Sequence, residues 1–193
     1  GETKKAIQLF DKIIAINPNH VDAYYNLGNA FKQLREFAKA EKCYKKTIEI
    51  QPNNTRAYNN LGNILKEIGK LKEAINFYSM AIKIQPNHAK AHHNLGNIFR
   101  QIGEIQKAKN SYKKAFRYEP TNLEALEILC DLDEKILEKS LLKKIKKILI
   151  GKNLSKKDTA YGNFILSKYE FKKKNFKKEF QYLLNGHLNY FNF

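Results

Sequence analysis

The residues best suited to metal binding or acid–base chemistry are the histidines: His20, His88, His92, His93 and His187. An imidazole can ligate a metal or transfer a proton near neutral pH. His92 and His93 are adjacent in a helical pattern, so their side chains point about 100° apart and cannot chelate one metal as histidines four residues apart do. His20 and His88 each lie close to a proline, where we expect capping or turn residues. We therefore predict no metal site.

A phosphate-binding loop is also missing from the sequence. Gly28, Gly62 and Gly96 occur singly inside helical patterns, and no glycine-rich turn joins a strand to a helix. Close packing of helices is the expected role of such glycines. We predict no catalytic residue and no cofactor, so the chain by itself is not expected to be an enzyme.

Asparagine is the residue type with the clearest binding potential. It clusters in three similar segments, AYYNLGNAFKQLR at 23–35, AYNNLGNILKEIG at 57–69 and AHHNLGNIFRQIG at 91–103. Asparagine is a mediocre helix former, because its amide competes for backbone hydrogen bonds. The same amide both donates and accepts, so a row of such groups could pair with the backbone of any bound peptide.

A period of 34 residues positions these segments. Gly28, Gly62 and Gly96 are 34 residues apart, and so are the four prolines, at positions 18, 52, 86 and 120. Each proline ends an apolar helical run, as expected of a residue that cannot continue a helix. Two helical patterns of about a dozen residues lie between successive prolines, and a fixed period of this size predicts a solenoid of helix pairs.

These residues resemble the tetratricopeptide repeat (TPR) family, whose pattern is an aromatic, Leu-Gly, an aromatic, Ala, an aromatic and Pro. The matching positions are Tyr24, Leu27, Gly28, Phe31, Ala40, Tyr44 and Pro52; Tyr58, Leu61, Gly62, Leu65, Ala74, Tyr78, Ala81 and Pro86; and His92, Leu95, Gly96, Phe99, Ala108, Tyr112, Ala115 and Pro120. The first aromatic position, which is Trp in the family pattern, is Tyr or His here. Thr47 occupies the position at which Ala81 and Ala115 occur in the other two repeats. The resemblance implies an all-α fold, a right-handed α-α superhelical solenoid of helix-turn-helix repeats.

The repeat register divides the chain into six segments. We predict a partial repeat at 1–20 holding only a second helix, complete repeats at 21–54, 55–88 and 89–122, a divergent helical segment at 123–157, and a degenerate TPR-like capping helix pair at 158–193. In this register Gly1 is expected in a turn, so we predict that the chain opens halfway through a repeat and is a fragment of a longer protein. We expect self-association through the apolar surface left at that truncated end.

The last pair of helices is expected near 158–172 and 176–190. Aromatic packing should cap the stack, with contributions from Phe164, Tyr169, Phe176, Phe180 and Tyr182. The last 70 residues also resemble the region that precedes the catalytic domain in bacterial TPR-containing sulfotransferases, with Gly186-His187 in place of a terminal Gly-Asn.

Composition narrows the class of partner. The net charge is +17, but only four of the 36 basic residues are arginine. Because nucleic-acid surfaces usually recruit arginine, an acidic protein or peptide is favoured over nucleic acid. No apolar run is long enough to span a membrane, so no membrane partner is expected. Cys43 and Cys130 are expected as unpaired thiols, and with no signal peptide the predicted location is cytoplasmic.

In the TPR family, the first helix of each pair lines the concave face. The row formed there by Asn26, Asn60 and Asn94 resembles the asparagine ladder of the O-GlcNAc transferase superhelix, which holds extended peptides by their backbones. The predicted groove residues are Tyr25, Asn26, Asn29, Arg56, Asn59, Asn60, Asn63, Lys90, His93, Asn94, Asn97 and Arg100. Alternatively, Asn60 and Asn63 bond across neighbouring helices and hold the superhelical pitch.

The function predicted from these observations is a protein–protein interaction scaffold that binds an extended peptide in the groove. The rival prediction is a non-catalytic, substrate-recruiting region of a larger sulfotransferase or glycosyltransferase.

Overall fold

The computed structural model describes residues 2–151 and 154–191, which leaves the expected turn at Gly1 outside the described residues. The helices run in chain order as α1 Glu2–Ile16, α2 Val21–Gln33, α3 Phe37–Ile50, α4 Thr55–Glu67, α5 Leu71–Ile84, α6 Ala89–Gln101, α7 Ile105–Tyr118, α8 Leu123–Leu132, α9 Lys139–Leu149, α10 Lys156–Lys172 and α11 Phe176–Phe191. A short 3₁₀ helix at Glu134–Ile136 separates α8 from α9. No strand occurs within these ranges, and the predicted all-α solenoid fold is confirmed.

The chain forms two compact units, Gly1–Ile98 and Phe99–Phe193. The boundary between them falls inside α6, so α6 contributes to both. Unit 1 contains α1 to α5 and most of α6, and unit 2 contains the end of α6 and all later helices. No described helix is both long enough and apolar enough to cross a membrane.

Side-chain caps begin several of the helices. Asn54 Oδ1 accepts a hydrogen bond from the Ala57 amide at 3.0 Å, which satisfies one of the free N–H groups at the start of α4. Imidazole Nδ1 atoms cap α2 and α6 in the same way, from His20 to the Ala23 amide at 3.2 Å and from His88 to the Ala91 amide at 3.3 Å. The expectation that these two histidines cap helices is confirmed.

Unit 1 is held together by close contact between the helices of each pair. A Cβ atom added at Gly62 would lie 2.7 Å from Cε1 of Tyr78, and one at Gly28 would lie 2.8 Å from Cε1 of Tyr44. Both tyrosines are completely buried. Each tyrosine ring therefore occupies the space that a side chain on the opposite helix would need, which is the reason for glycine at this position.

We expect Gly62→Ala to lower the free energy of unfolding by about 1–3 kcal/mol, because the Tyr78 ring must move in a packed core. Alanine's higher helix propensity offsets part of this cost, by about 1 kcal/mol. Urea unfolding followed by circular dichroism measures the difference. The double variant Gly62→Ala with Tyr78→Leu should cost less than the sum of the two single variants, because the clash with the ring is absent; two costs that simply add would contradict such a clash.

The core of unit 2 is built from α7 to α10. Its largest fully buried side chains include Tyr112, Leu123, Ile145 and Ile165. α8 spans only 10 residues and is followed by extended backbone at Asp133, by the 3₁₀ helix and then by α9. The segment after residue 122 is therefore helical but is connected differently from the helix pairs of unit 1.

The final helix pair corrects one prediction from the sequence. α10 and α11 lie where two helices were expected, and a Cβ atom at Gly186 would collide with the Phe164 ring, so they pack tightly. Phe176 and Phe180, which were expected to pack in the cap, are instead exposed. The reason is geometric: the face of α11 that contains Gly186 contacts α10, and these two phenylalanines project from another face.

Candidate functional site

The predicted groove residues of unit 1 lie on α2, α4 and α6, and a hydrogen-bond network links these helices. Asn60 Nδ2 on α4 donates to Asn29 Oδ1 at 3.0 Å and to the Tyr25 hydroxyl at 3.1 Å, both on α2. It also lies 3.4 Å from the Tyr44 hydroxyl, which itself donates to Asn29 Oδ1 at 2.7 Å. One asparagine amide therefore connects one repeat to the preceding repeat.

The same arrangement recurs one repeat later. Asn94 Nδ2 on α6 donates to Asn63 Oδ1 at 2.9 Å and to Asn59 Oδ1 at 3.1 Å, both on α4. The Tyr78 hydroxyl donates to Asn63 Oδ1 at 2.7 Å. We call these bonds and those made by Asn60 the Asn–Tyr network.

Burial keeps the tyrosines of the network protonated. Loss of hydration raises the pKa of the Tyr44 and Tyr78 phenols well above the ordinary value, because the charged phenolate is disfavoured in the core. At neutral pH both hydroxyls therefore remain hydrogen-bond donors to the asparagines.

The Asn–Tyr network already occupies amide nitrogen atoms that were expected from the sequence to bind a peptide. The Nδ2 atoms of Asn60 and Asn94 bond across neighbouring helices, and Asn63 accepts the bond from Asn94, as the alternative hypothesis supposed for Asn60 and Asn63. Asn59 is only 7% exposed, and its carbonyl oxygen accepts from Asn94. Within the described part of the chain, Oδ1 of Asn60 and Oδ1 of Asn94 carry no hydrogen bond, so these two atoms remain as acceptors.

Two exposed cations lie on the same helix faces as these acceptors. Arg56 precedes Asn60 by four residues, and Lys90 precedes Asn94 by four, so each pair shares one helix face. The Arg56 guanidinium lies over the Tyr25 ring, 4.9 Å from its centroid. No carboxylate of residues 2–151 or 154–191 forms an ion pair with Arg56 or Lys90.

The remaining predicted groove residues occupy less uniform positions. Asn26 is exposed on α2, and His93 and Asn97 are half-buried on α6. Arg100 is exposed but belongs to unit 2, where its charge partly opposes the burial that raises the pKa of Tyr112 to about 12.

The described ranges contain no cluster of side chains suited to binding a metal ion. No three His, Cys, Asp or Glu side chains there are placed to hold a metal ion. His92 is buried, and its Nε2 atom lies 2.9 Å from the Pro86 carbonyl oxygen, so its side chain has a structural role in the core. Cys43 and Cys130 are unpaired and buried, and loss of hydration raises their thiol pKa values to about 11 and about 12.

The helix pairs, with a glycine in each first helix, agree with the family comparison. The family model described as "Tetratricopeptide repeat" matches residues 21–54, 55–88 and 89–122, and a second model, "TPR repeat", matches residues 1–35. The chain belongs to the tetratricopeptide repeat family. TPR arrays present extended surfaces to partners, so the repeats indicate a protein–protein interaction scaffold.

Several solved structures resemble this chain along most of its length. A structure titled "Crystal structure of MamA" is 24% identical, with a TM-score of 0.66, and covers 90% of this chain and 92% of that chain. A second, "Crystal structure of MamA protein", is 26% identical, with a TM-score of 0.63 and coverages of 78% and 82%. A Pseudomonas aeruginosa PilF structure is 21% identical, with a TM-score of 0.71 and coverages of 94% and 82%. No curated protein matches this chain.

Sequence reasoning missed the tyrosine hydroxyls of the TPR core. From the sequence, Tyr44 and Tyr78 are identified only as aromatic positions of the repeat pattern, whereas the structure shows that their hydroxyls bond to Asn29 and Asn63. The signal was available in the sequence: a buried tyrosine, unlike a phenylalanine, needs a hydrogen-bond partner for its hydroxyl.

Proposed function

We propose that unit 1 binds an extended acidic peptide along the polar face of α2, α4 and α6. The observation that carries this proposal is a repeated pair, Arg56 with Asn60 and Lys90 with Asn94. In each pair, an exposed cation is followed one turn later by an amide oxygen, and among the described residues the cation has no carboxylate partner and the oxygen has no hydrogen bond. The amide oxygens accept from peptide N–H groups, and the two cations bind peptide carboxylates.

The structure changes the role that we assign to the asparagines. With their nitrogen atoms committed to the Asn–Tyr network, Asn60 and Asn94 only accept hydrogen bonds from a peptide. Exposed Asn26 has no such commitment and both donates and accepts. The network keeps the two acceptors at fixed positions, so little side-chain entropy is lost on binding.

Hydrogen bonds alone are too weak for this binding. Each amide-to-backbone bond contributes about 1 kcal/mol net, so three supply roughly 2–4 kcal/mol. Micromolar affinity needs about 8 kcal/mol, and the remainder must come from the cations and the Tyr25 ring. We expect a modest affinity that weakens as salt screens the charges.

Removing the two cations should abolish most of the binding without unfolding the chain. We expect Arg56→Gln with Lys90→Gln to weaken binding of a short labelled poly-glutamate peptide at least tenfold, measured by fluorescence anisotropy at low salt. The melting temperature should stay near that of the parent, because both side chains are exposed.

The matched control is Lys72→Gln with Lys83→Gln, which removes the same charge from exposed positions on α5. Equal losses in the two double variants would show that only net charge attracts the peptide. That result would refute a site on α2, α4 and α6.

The transferase alternative has no support in the comparisons. Neither family model concerns a sulfotransferase or a glycosyltransferase, and the similar structures described above concern MamA and PilF. The function that we propose for this chain is therefore binding.

A further inference from the structure

The outer face of α11 carries a continuous row of exposed apolar side chains. The residues are Phe176, Phe180, Leu184, Leu188 and Phe191, at exposures of 62%, 68%, 48%, 53% and 73%. Successive members are three or four residues apart, so they form a single stripe along the helix. We call these five residues the α11 stripe.

The α11 stripe is not the surface by which α11 packs on unit 2. That contact uses the face with Gly186, against which the Phe164 ring lies, and Tyr190, whose ring centroid is 6.1 Å from that of Tyr161 and 6.3 Å from that of Phe164. α11 therefore has two apolar faces, and only one of them is covered within the described part of the chain.

We propose that the α11 stripe binds the same stripe of a second copy of this chain, with the two helices antiparallel. At their observed exposures, the five side chains present on the order of 500 Å². Complete mutual burial of the two stripes would remove about 1,000 Å² from solvent, which is about the minimum expected of a biological interface and fits a weak, reversible dimer. Because a patch of about 500 Å² is near the largest found on typical monomers, the stripe is large enough to be an interface.

The charges on α11 select the antiparallel arrangement. Lys177, Lys178 and Glu179 lie at the amino end, where two positive charges and one negative charge leave a net charge of +1, whereas Phe180 to Phe191 contains no Asp, Glu, Lys or Arg. A parallel pair would place these lysines opposite their copies. An antiparallel pair places them beside the carboxyl end of the partner helix, where the helix dipole favours positive charge.

The antiparallel arrangement also defines the size of the assembly. Leu184 lies near the middle of the stripe and meets its own copy on the two-fold axis, while Phe180 meets Leu188 of the second copy. Because the same surface is used by both copies, association stops at the dimer.

The exposed apolar residues of α1, at the other end of the sequence, can be compared with the α11 stripe. The sequence predicted self-association through the end that contains α1, but only Leu9 and Ile16 are large exposed apolar residues on that helix. The α11 stripe has five such residues, so association through α11 is favoured.

Sedimentation velocity across the micromolar range tests the proposal. We expect a monomer–dimer equilibrium in the parent protein and only monomer for Phe180→Glu and for Leu184→Glu, with helix content unchanged by circular dichroism. The control, Ile16→Glu, changes an 86% exposed residue on α1 and should dimerise like the parent. A monomeric parent, species that grow beyond two copies, or loss of the dimer only in Ile16→Glu would overturn the proposal.

Added salt should change the affinity of the dimer and the affinity for the peptide in opposite directions. Each copy carries a net charge of +17, so added salt screens the repulsion between copies and should strengthen the dimer. Peptide binding to unit 1 should weaken under the same change. Either result can fail without the other.

Disulfide trapping tests the orientation. Cys43 and Cys130 are buried, so disulfides formed by a single introduced cysteine can be detected with little interference from these two native thiols. Leu184→Cys should form a disulfide dimer under mild oxidation, and Phe180→Cys mixed with Leu188→Cys should form the mixed dimer. Lys177→Cys should not form a disulfide with its own copy, and efficient formation of that disulfide would show a parallel pair and overturn the antiparallel assignment.

A membrane surface is the other occupant to be tested. Co-sedimentation of the monomer with anionic lipid vesicles, abolished by Phe180→Glu, would assign the stripe to a membrane surface and overturn the dimer.

Discussion

Tyr78→Ala is expected to lower the free energy of unfolding by about 3–5 kcal/mol, the range for removing a large buried aromatic side chain. The Tyr78 ring is completely buried between α4 and α5, where it lies against Gly62. Its removal leaves a cavity and deprives Asn63 Oδ1 of a hydrogen-bond donor. Urea unfolding followed by circular dichroism measures this loss.

Tyr78→Phe is the matched control, since it removes only the hydroxyl. The expected cost is about 1–3 kcal/mol, because Asn63 Oδ1 keeps its bond from Asn94 but loses the one from the tyrosine. If Tyr78→Phe proved as costly as Tyr78→Ala, the hydrogen bond would outweigh the packing and this account of the core would be wrong.

The double variant Asn60→Ala with Asn94→Ala should lower the free energy of unfolding by about 2–6 kcal/mol, at about 1–3 kcal/mol for each site. Each substitution removes the amide that joins two repeats and leaves acceptors of the Asn–Tyr network with fewer donors. The two sites share no hydrogen-bond partner, so the single costs should add approximately.

Asn26→Ala is the control for this double variant. Asn26 occupies the same place in its repeat but is exposed, so its replacement should change stability by less than about 0.5 kcal/mol. A double variant that melted like the parent would contradict the structural role of the network. Because we expect loss of stability here, the peptide-binding test uses Arg56 and Lys90.

The network gives a physical meaning to the coupling of neighbouring TPR repeats. Asn60 reaches residues 31 and 35 positions earlier, and Asn94 does the same one repeat later. In a solenoid, stability is approximately a sum of repeat terms and terms between neighbours. These asparagines supply part of the neighbour term, which explains residues of poor helix propensity inside helices.

The sequence by itself determined the fold of this protein. The 34-residue period of Gly28, Gly62 and Gly96, and of the prolines, predicted the helix pairs and their family before any contact was known. These features are readable because the helical repeat fixes which residues share a face, and because proline and glycine act locally on the backbone. The shared face of Arg56 and Asn60 was predictable for the same reason.

The tertiary structure alone decided how the two most informative surfaces are used. Helical periodicity places Asn60 on a face, but which atom of its amide is already bonded depends on Asn29 and Tyr25, one repeat away. α11 has apolar residues on more than one face, and the sequence pattern could not show that the Gly186 face would be covered while Phe176 and Phe180 stayed exposed. A hydrophobic pattern records which side chains would gain from burial, whereas burial itself requires a neighbouring element at the right distance.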